Sequence, residues 1–157
     1  MLVRGESLQM DAVDQRIVAL LVADARASFA DIGAKVSLSA PAVKRRVDRL
    51  RVRGIIKGFT AVIDPAAVGW TTEAFVELFC TGRTTPAQLT VATRRHPEVV
   101  GAYTVSGEAD ALVHLRAADI GHLEQALERL RAEPFVTSTR SMVVLSRLIE
   151  NPTSVPT

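Results

Sequence analysis

The sequence has almost no cysteine. Cys80 stands alone, so the chain makes no internal disulfide, which points to a reducing compartment. Histidine is scarce as well: His96, His114 and His122 are scattered and form no cluster at metal-ligand spacing, so neither structural zinc nor another cofactor is expected. No stretch approaches the ~18 consecutive apolar residues of a membrane span. Met1 to Met10, with Arg4 and Glu6 among mixed residues, lacks the apolar core of a signal peptide. A cytoplasmic protein with no membrane partner is therefore expected. Lysine is rare too: only Lys35, Lys44 and Lys57 among 19 basic residues.

What is present is the balance of a globular protein, 48% hydrophobic and 23% charged residues, enough for one ordinary domain or two small ones. The net charge of +2 hides an asymmetry. Residues 1–70 carry 11 basic against 7 acidic side chains, and residues 71–157 carry 8 against 10. Within the first half, Ser39 to Gly58 holds Lys44, Arg45, Arg46, Arg49, Arg51, Arg53 and Lys57 against Asp48 alone. Such a run is a candidate phosphate-binding footprint.

That run follows a helical pattern. Val13, Ile17, Leu20 and Leu21 fall at helical spacing behind Asp11 and Asp14, which suit the positive end of a helix dipole. Ser28 is a candidate N-cap for a second, short helix with the stripe Phe29, Ile32 and Val36. Ser39 caps a third, from Ala40 to about Arg53, with Pro41 in its first turn, Val43, Val47 and Leu50 on its apolar side and Gly54 to end it. Two short helices joined by about three residues, the second basic on its outer face, have the layout of a helix-turn-helix. Residues 11–54 are read as that domain, after an N-terminal extension over 1–10.

The remainder differs in kind. Ile55 to Ile63 is rich in β-branched residues and predicts a strand, with a connector running to residue 70. A strand over Thr72 to Cys80 is followed by Thr85-Pro86-Ala87-Gln88, which resembles a capping box, and by a helix that ends before His96-Pro97. Val99 to Ser106 and Ala111 to Arg116 predict a hairpin turning at Gly107 to Asp110. Asp119 caps a helix with Ile120, Leu123, Leu127 and Leu130 on its stripe, and a last strand runs from Val136 to about Leu148. The order β-α-β, hairpin, α-β is the ferredoxin-like βαββαβ arrangement over residues 71–149, and 150–157 is a tail. The fold class is α+β.

Several stretches resemble the leucine-responsive/asparagine-operon (Lrp/AsnC, feast/famine) transcription regulators: Met10-Asp11-Ala12-Val13-Asp14 to Leu21, Ala27 to Ser39, Val43 to Leu50, Arg53-Gly54-Ile55-Ile56-Lys57-Gly58-Phe59, Asp64-Pro65 to Gly69, and Tyr103 to Asp110. The resemblance covers nearly the whole chain. It implies a winged helix-turn-helix that binds double-stranded DNA, a linking strand over 55–70 that pairs across a homodimer, and a regulatory domain that gathers dimers into octamers or similar rings. It also implies a small-molecule effector, commonly an amino acid, held between dimers near the G-x-x-D turn. Ser37 departs from the pattern, standing in the turn where the family often has glycine. A left-handed backbone there costs a non-glycine residue roughly 1 kcal/mol.

For reading bases, the third helix must present short or basic side chains from its N-terminal half: Ser39, Ala40 and Arg45. Lys44, Arg46, Arg49 and Arg51 then serve phosphates, since one helix cannot point them all into one groove. Ser28 and Ser39, at helix N-termini that are themselves anion sites, are candidates for phosphate contact, with capping their helices as the alternative or additional role, and a basic face can also be merely solvated. For an amino-acid effector, Gly107 and Asp110 offer exposed backbone N–H groups beside a carboxylate, although glycine and aspartate also favour an ordinary hairpin turn. The resemblance adds Ser106, Glu108 and Thr139 to this site, together with Tyr103, which has the alternative of packing in an interface. A DNA-architectural protein without an effector is a neighbouring reading. A small ferredoxin-like enzyme is the remaining one, but the chain has no nucleophile elbow, phosphate-cradling loop or paired catalytic carboxylates, and no enzymatic activity is expected.

Overall fold

Local signals place the first three helices where the sequence puts them. The computed structural model describes residues 10–149, so most of the expected extension and the whole of the expected tail lie outside the described residues. The chain divides into two units, one through Val62 and one from Ile63. In the first, α1 spans Ala12–Ala23, α2 spans Phe29–Val36 and α3 spans Ala40–Val52. The side chains of Asp11 and Ser28 accept from the backbone N–H groups of Asp14 and Asp31, at 2.7 and 3.1 Å, and each such cap contributes about 1 kcal/mol. Ile17, Leu21, Ile32, Val43 and Val47 form one buried cluster between the helices.

The α2–α3 turn is closed by backbone. Ser37 is left-handed, with φ 56° and ψ 44°, and is the only non-glycine residue with positive φ among the described residues. It lets Leu38 N–H reach back to the Gly33 carbonyl at 3.0 Å, the closure of a Schellman motif. The approach is so tight that a Cβ on Gly33 would lie 2.3 Å from the Leu38 carbonyl oxygen. Gly54, at φ 71°, ends α3 in the same manner, with Ile55 N–H on the Leu50 carbonyl at 2.9 Å.

In the second unit a short 3-10 turn, Pro65–Val68, leads into β1 (Thr72–Cys80), α4 (Pro86–Thr93), β2 (Val99–Thr104), β3 (Ala111–Ala117), α5 (Ile120–Arg131) and β4 (Val136–Val143). The strands are all antiparallel, in the order β2-β3-β1-β4, which is the ferredoxin-like sheet expected. Alternate residues Ala74, Val76 and Leu78 of β1 and Ala111, Val113, Leu115 and Ala117 of β3 are buried with Leu89, Leu123 and Leu130 from the helices. Both arms of the capping box at Thr85 and Gln88 are formed.

Four expectations are corrected. The segment 55–63 forms no strand with any of the described residues, so no wing follows α3 among them: its β-branched residues have no ladder partner there, and Phe59, Val62 and Ile63 stay exposed. The last strand ends at Val143 rather than near Leu148. Its one neighbour is β1, which begins at Thr72, and after Val144 N–H bonds the Glu73 carbonyl the partner strand runs out. Ser106 falls outside β2, and in α5 the buried stripe is Leu123, Ala126 and Leu130, with Ile120 exposed in the first turn.

Buried carboxylates tie the second unit together. Glu98, 3% exposed, accepts at one oxygen from His122 Nε2 at 2.8 Å and from Arg129 at 2.5 Å. His122 Nδ1 accepts the Ala118 N–H, so the proton on the neutral ring sits on Nε2 and points at Glu98. Glu73 is held by His114, Arg116 and Arg147. Burial pushes both carboxyls up, but the hydrogen bonds from His122 and Arg129 on Glu98, and from Arg147 and His114 on Glu73, outweigh it and hold both below their ordinary values.

Two tests follow from these contacts. In urea titrations, Ser37→Gly should stabilise the first unit by up to about 1 kcal/mol by relieving the left-handed backbone. Gly33→Ala should destabilise it by about 1–3 kcal/mol, because a backbone oxygen must move. Since Glu73 and Glu98 have depressed folded-state pKa values, their stabilisation is complete above the ordinary carboxylate pKa and is lost as pH falls through the folded value. Acid unfolding followed by circular dichroism should therefore be shallower in Glu98→Gln than in the parent; equal steepness would remove Glu98 from this role.

Candidate DNA-binding surface and effector turn

The capping serines have divided their work. Ser28 Oγ accepts from Asp31 N–H and donates to the Asp31 carboxylate at 2.6 Å, so it is committed to α2. Ser39 occupies the N-cap of α3 with its side chain making no capping bond, which leaves an exposed hydroxyl beside the helix N-terminus. Ala40 is half-buried in the first turn. Arg45 and Arg51 are exposed and have no hydrogen bond or ion pair among the described residues.

The other basic residues of α3 are engaged. Lys44 pairs with Asp48 at 2.6 Å one turn on, an exposed contact worth a few tenths of a kcal/mol and easily opened. Arg46 contacts Asp11 at 2.7 Å and Asp14 at 2.8 Å, and Arg49 contacts the second oxygen of Asp14 at 2.8 Å. Asp14 is 1% exposed. The hydrogen bond that Asp11 accepts from Arg46, and then the capping bond from Asp14 N–H, hold the Asp11 carboxyl below its ordinary value. Asp11 and Asp14 were legible as helix-start residues, but nothing in the sequence spacing shows that they reach α3, some thirty positions away.

At the candidate effector turn, Ser106, Gly107 and Glu108 are exposed, and Gly107 has φ 144°, a region open to glycine. Asp110 is only partly available. Its Oδ2 accepts the Cys80 backbone N–H at 2.7 Å, and its own N–H bonds the Leu78 carbonyl at 3.0 Å. The carboxylate thus closes the end of β1 where the β1–β4 register slips between Phe79 and Cys80. Burial, and then the charge of Asp110, push the Cys80 thiol up. A neighbour that sequence reading missed is Arg140 on β4, paired with Glu77 at 3.2 Å, 3.9 Å from Glu108 and lying over the Phe79 ring. Only the register, Glu77 opposite Arg140, brings it there.

Tyr103 and Thr139 are not brought together. Tyr103 pairs with Leu112, on the sheet face away from the helices, and its hydroxyl lies back over Gly101, where a Cβ would meet it at 2.8 Å. Thr139 pairs with buried Leu78, on the helix-covered face, and accepts from Arg131 at 3.0 Å. Strands β2 and β4 are moreover the two edges of the sheet, about 14 Å apart at the usual strand spacing.

Known proteins match both units. Residues 10–51 match the AsnC-type helix-turn-helix domain and residues 73–154 the Lrp/AsnC ligand binding domain. Among characterised relatives, the chain is 56% identical over 142 residues to the HTH-type transcriptional regulator Rv2324 of Mycobacterium tuberculosis, covering 90% of this chain and 96% of the relative. It is 33% identical to the transcriptional regulator LrpA of the same organism, covering 94% and 97%. Among solved structures, the feast or famine regulatory protein Rv3291c from M. tuberculosis, complexed with L-methionine, superposes with a TM-score of 0.86 at 32% identity over 94% of this chain and all of that one. The L-methionine complex of the regulator NMB0573 from Neisseria meningitidis superposes with a TM-score of 0.83 at 25% identity, over 94% and 97%. With both domain models matched in order and the helix-turn-helix and four-stranded sheet in place, the chain belongs to the Lrp/AsnC family of transcriptional regulators.

Proposed function

We propose that this regulator reads specific DNA sequences through the N-terminal half of α3 and that an amino acid bound at the Gly107 turn modulates it. The observation that carries the DNA-reading half is the free Arg45, exposed on α3 behind an N-cap serine whose hydroxyl is spared from capping. Ser39, Ala40 and Arg45 face base edges, while Arg51 and Lys44 take phosphates. The protein acts in the cytoplasm, where its DNA lies.

The sensing half is supported by relatives solved with L-methionine and by the chemistry of the turn. Backbone N–H groups at Gly107 receive the effector carboxylate, and the second oxygen of Asp110, with Glu108, receives the ammonium group. Because Tyr103 and Thr139 leave opposite faces and opposite edges of one sheet, a site that uses both is completed by a second copy. The open sheet face, with Phe75, Leu112 and the 47%-exposed Met142, and the unpaired segment 55–63 are the surfaces on which copies of this chain assemble into dimers and higher rings. The engagement of Asp110 by Cys80 N–H favours one alternative, a DNA-architectural protein whose turn is purely structural.

Gel shifts test the first half. Arg45→Ala should cost about 1–3 kcal/mol on a duplex selected by the protein from a random pool and much less on random DNA. Equal losses would remove it from base reading. For the second half, Asp110→Asn keeps an acceptor for Cys80 N–H but loses the charge. It should unfold within about 1 kcal/mol of the parent while the amino acid that shifts the parent's melting temperature no longer does so. If none of the twenty amino acids moves the parent's melting temperature or its gel shift, the architectural reading stands instead.

A further inference from the structure

The basic run on α3 does not present all its charge to DNA. Seven cations lie between Ser39 and Gly58 against Asp48 alone, yet the acids of α1 answer two of them. Arg46 and Arg49, three residues apart on one face of α3, each take one oxygen of Asp14, and Arg46 adds Asp11. The Asp14 side chain is 2% exposed and out of reach of any ligand. A buried carboxylate is stable only while its donors stay in place, so pulling either guanidinium toward a phosphate strips Asp14 of a partner in a site from which water is excluded. Two donors one turn apart also define how far α3 is rolled about its axis against α1, which a cluster of apolar side chains such as Val43 and Val47 does only loosely.

We propose that Asp14 is a positioning residue of the DNA-binding surface. It sets the roll of α3 and withholds Arg46 and Arg49 from phosphate contact, so that sequence discrimination depends on a side chain that never meets DNA. Non-specific binding is electrostatic and scales with the number of phosphates neutralised, whereas base reading depends on orientation. Withholding two arginines lowers the first and a fixed roll sharpens the second. The sequence expectation that Arg46 and Arg49 serve phosphates is replaced by one in which Arg51 and Lys44 serve them and Arg45 reads bases. The inference rests on α3 being the DNA-reading helix.

The test uses the full-length protein, a duplex selected from a random pool by the parent, and a random-sequence duplex of equal length, with affinities measured across a potassium chloride series. Asp14→Asn frees Arg49 of its carboxylate partner and leaves Arg46 on Asp11 alone. Binding to the random duplex should strengthen several-fold at low salt, its slope against log salt should steepen by about 0.9 for each arginine released, and the selected-to-random affinity ratio should fall about tenfold or more. Parallel weakening on both duplexes with an unchanged slope would show a merely structural acid and overturn the proposal. Arg49→Gln decides the matter should Asp14→Asn fail to fold. It leaves Arg46 on Asp14, and the random-duplex slope should stay at the parent's value, whereas a slope shallower by about 0.9 would show Arg49 on a phosphate and overturn the proposal. A parent protein that binds neither duplex at any salt would instead overturn the DNA-reading role of α3 itself.

Discussion

A carboxylate taken out of water has to be matched by donors, and three such groups organise this protein. Asp14 joins α1 to α3 through Arg46 and Arg49. Glu98, just ahead of β2, joins that strand to α5 through His122 and Arg129, and Glu73 joins β1 to β3 and to the chain beyond β4 through His114, Arg116 and Arg147. Each link runs between elements that the apolar core already brings near one another, and what the ion pairs add is direction. A Leu–Val contact tolerates sliding and rotation by a few degrees, whereas donors on both oxygens of one carboxylate, as at Asp14 and Glu73, do not.

The regulatory unit shows the complementary constraint of a sheet covered on one side only. Residues at every second position of β1 and β3 are buried under α4 and α5, and their neighbours, Phe75, Glu77, Leu112 and His114, lie on the face the helices leave open. Phe75 and His114 stack there at 4.6 Å, and Arg140 spans Glu77 and the Phe79 ring. Tyr103 leaves the sheet on this open face and Thr139 on the helix-covered one, so the two do not converge within one chain.

Tight turns stand beside both candidate surfaces. The turn before α3 accepts the strain of a left-handed Ser37 to keep Leu38 on the Gly33 carbonyl, and the turn after β2 uses Gly107 to bring Asp110 back onto Cys80. In each case a backbone closure fixes where the next element starts, and hence where Ser39 or Glu108 points.

Much of this was legible along the chain. The acidic start of α1 at Asp11 and Asp14, the N-caps at Ser28, Thr85 and Asp119, the αL closure at Gly54, the strand Thr72–Cys80 and the order of elements follow from interactions within four or five residues, whose spacing is itself the evidence. What required the tertiary structure is every feature formed between residues far apart: Asp14 on Arg46 and Arg49, Asp110 on the Cys80 N–H, Arg140 beside Glu77, and the separation of Tyr103 from Thr139. The segment 55–63 shows the same division, since its β-branched composition favours a strand while a strand also needs a partner, and none lies among the described residues. Local spacing encodes propensity and caps. It does not encode register or which charge meets which, because those depend on the three-dimensional packing of elements thirty or more residues apart.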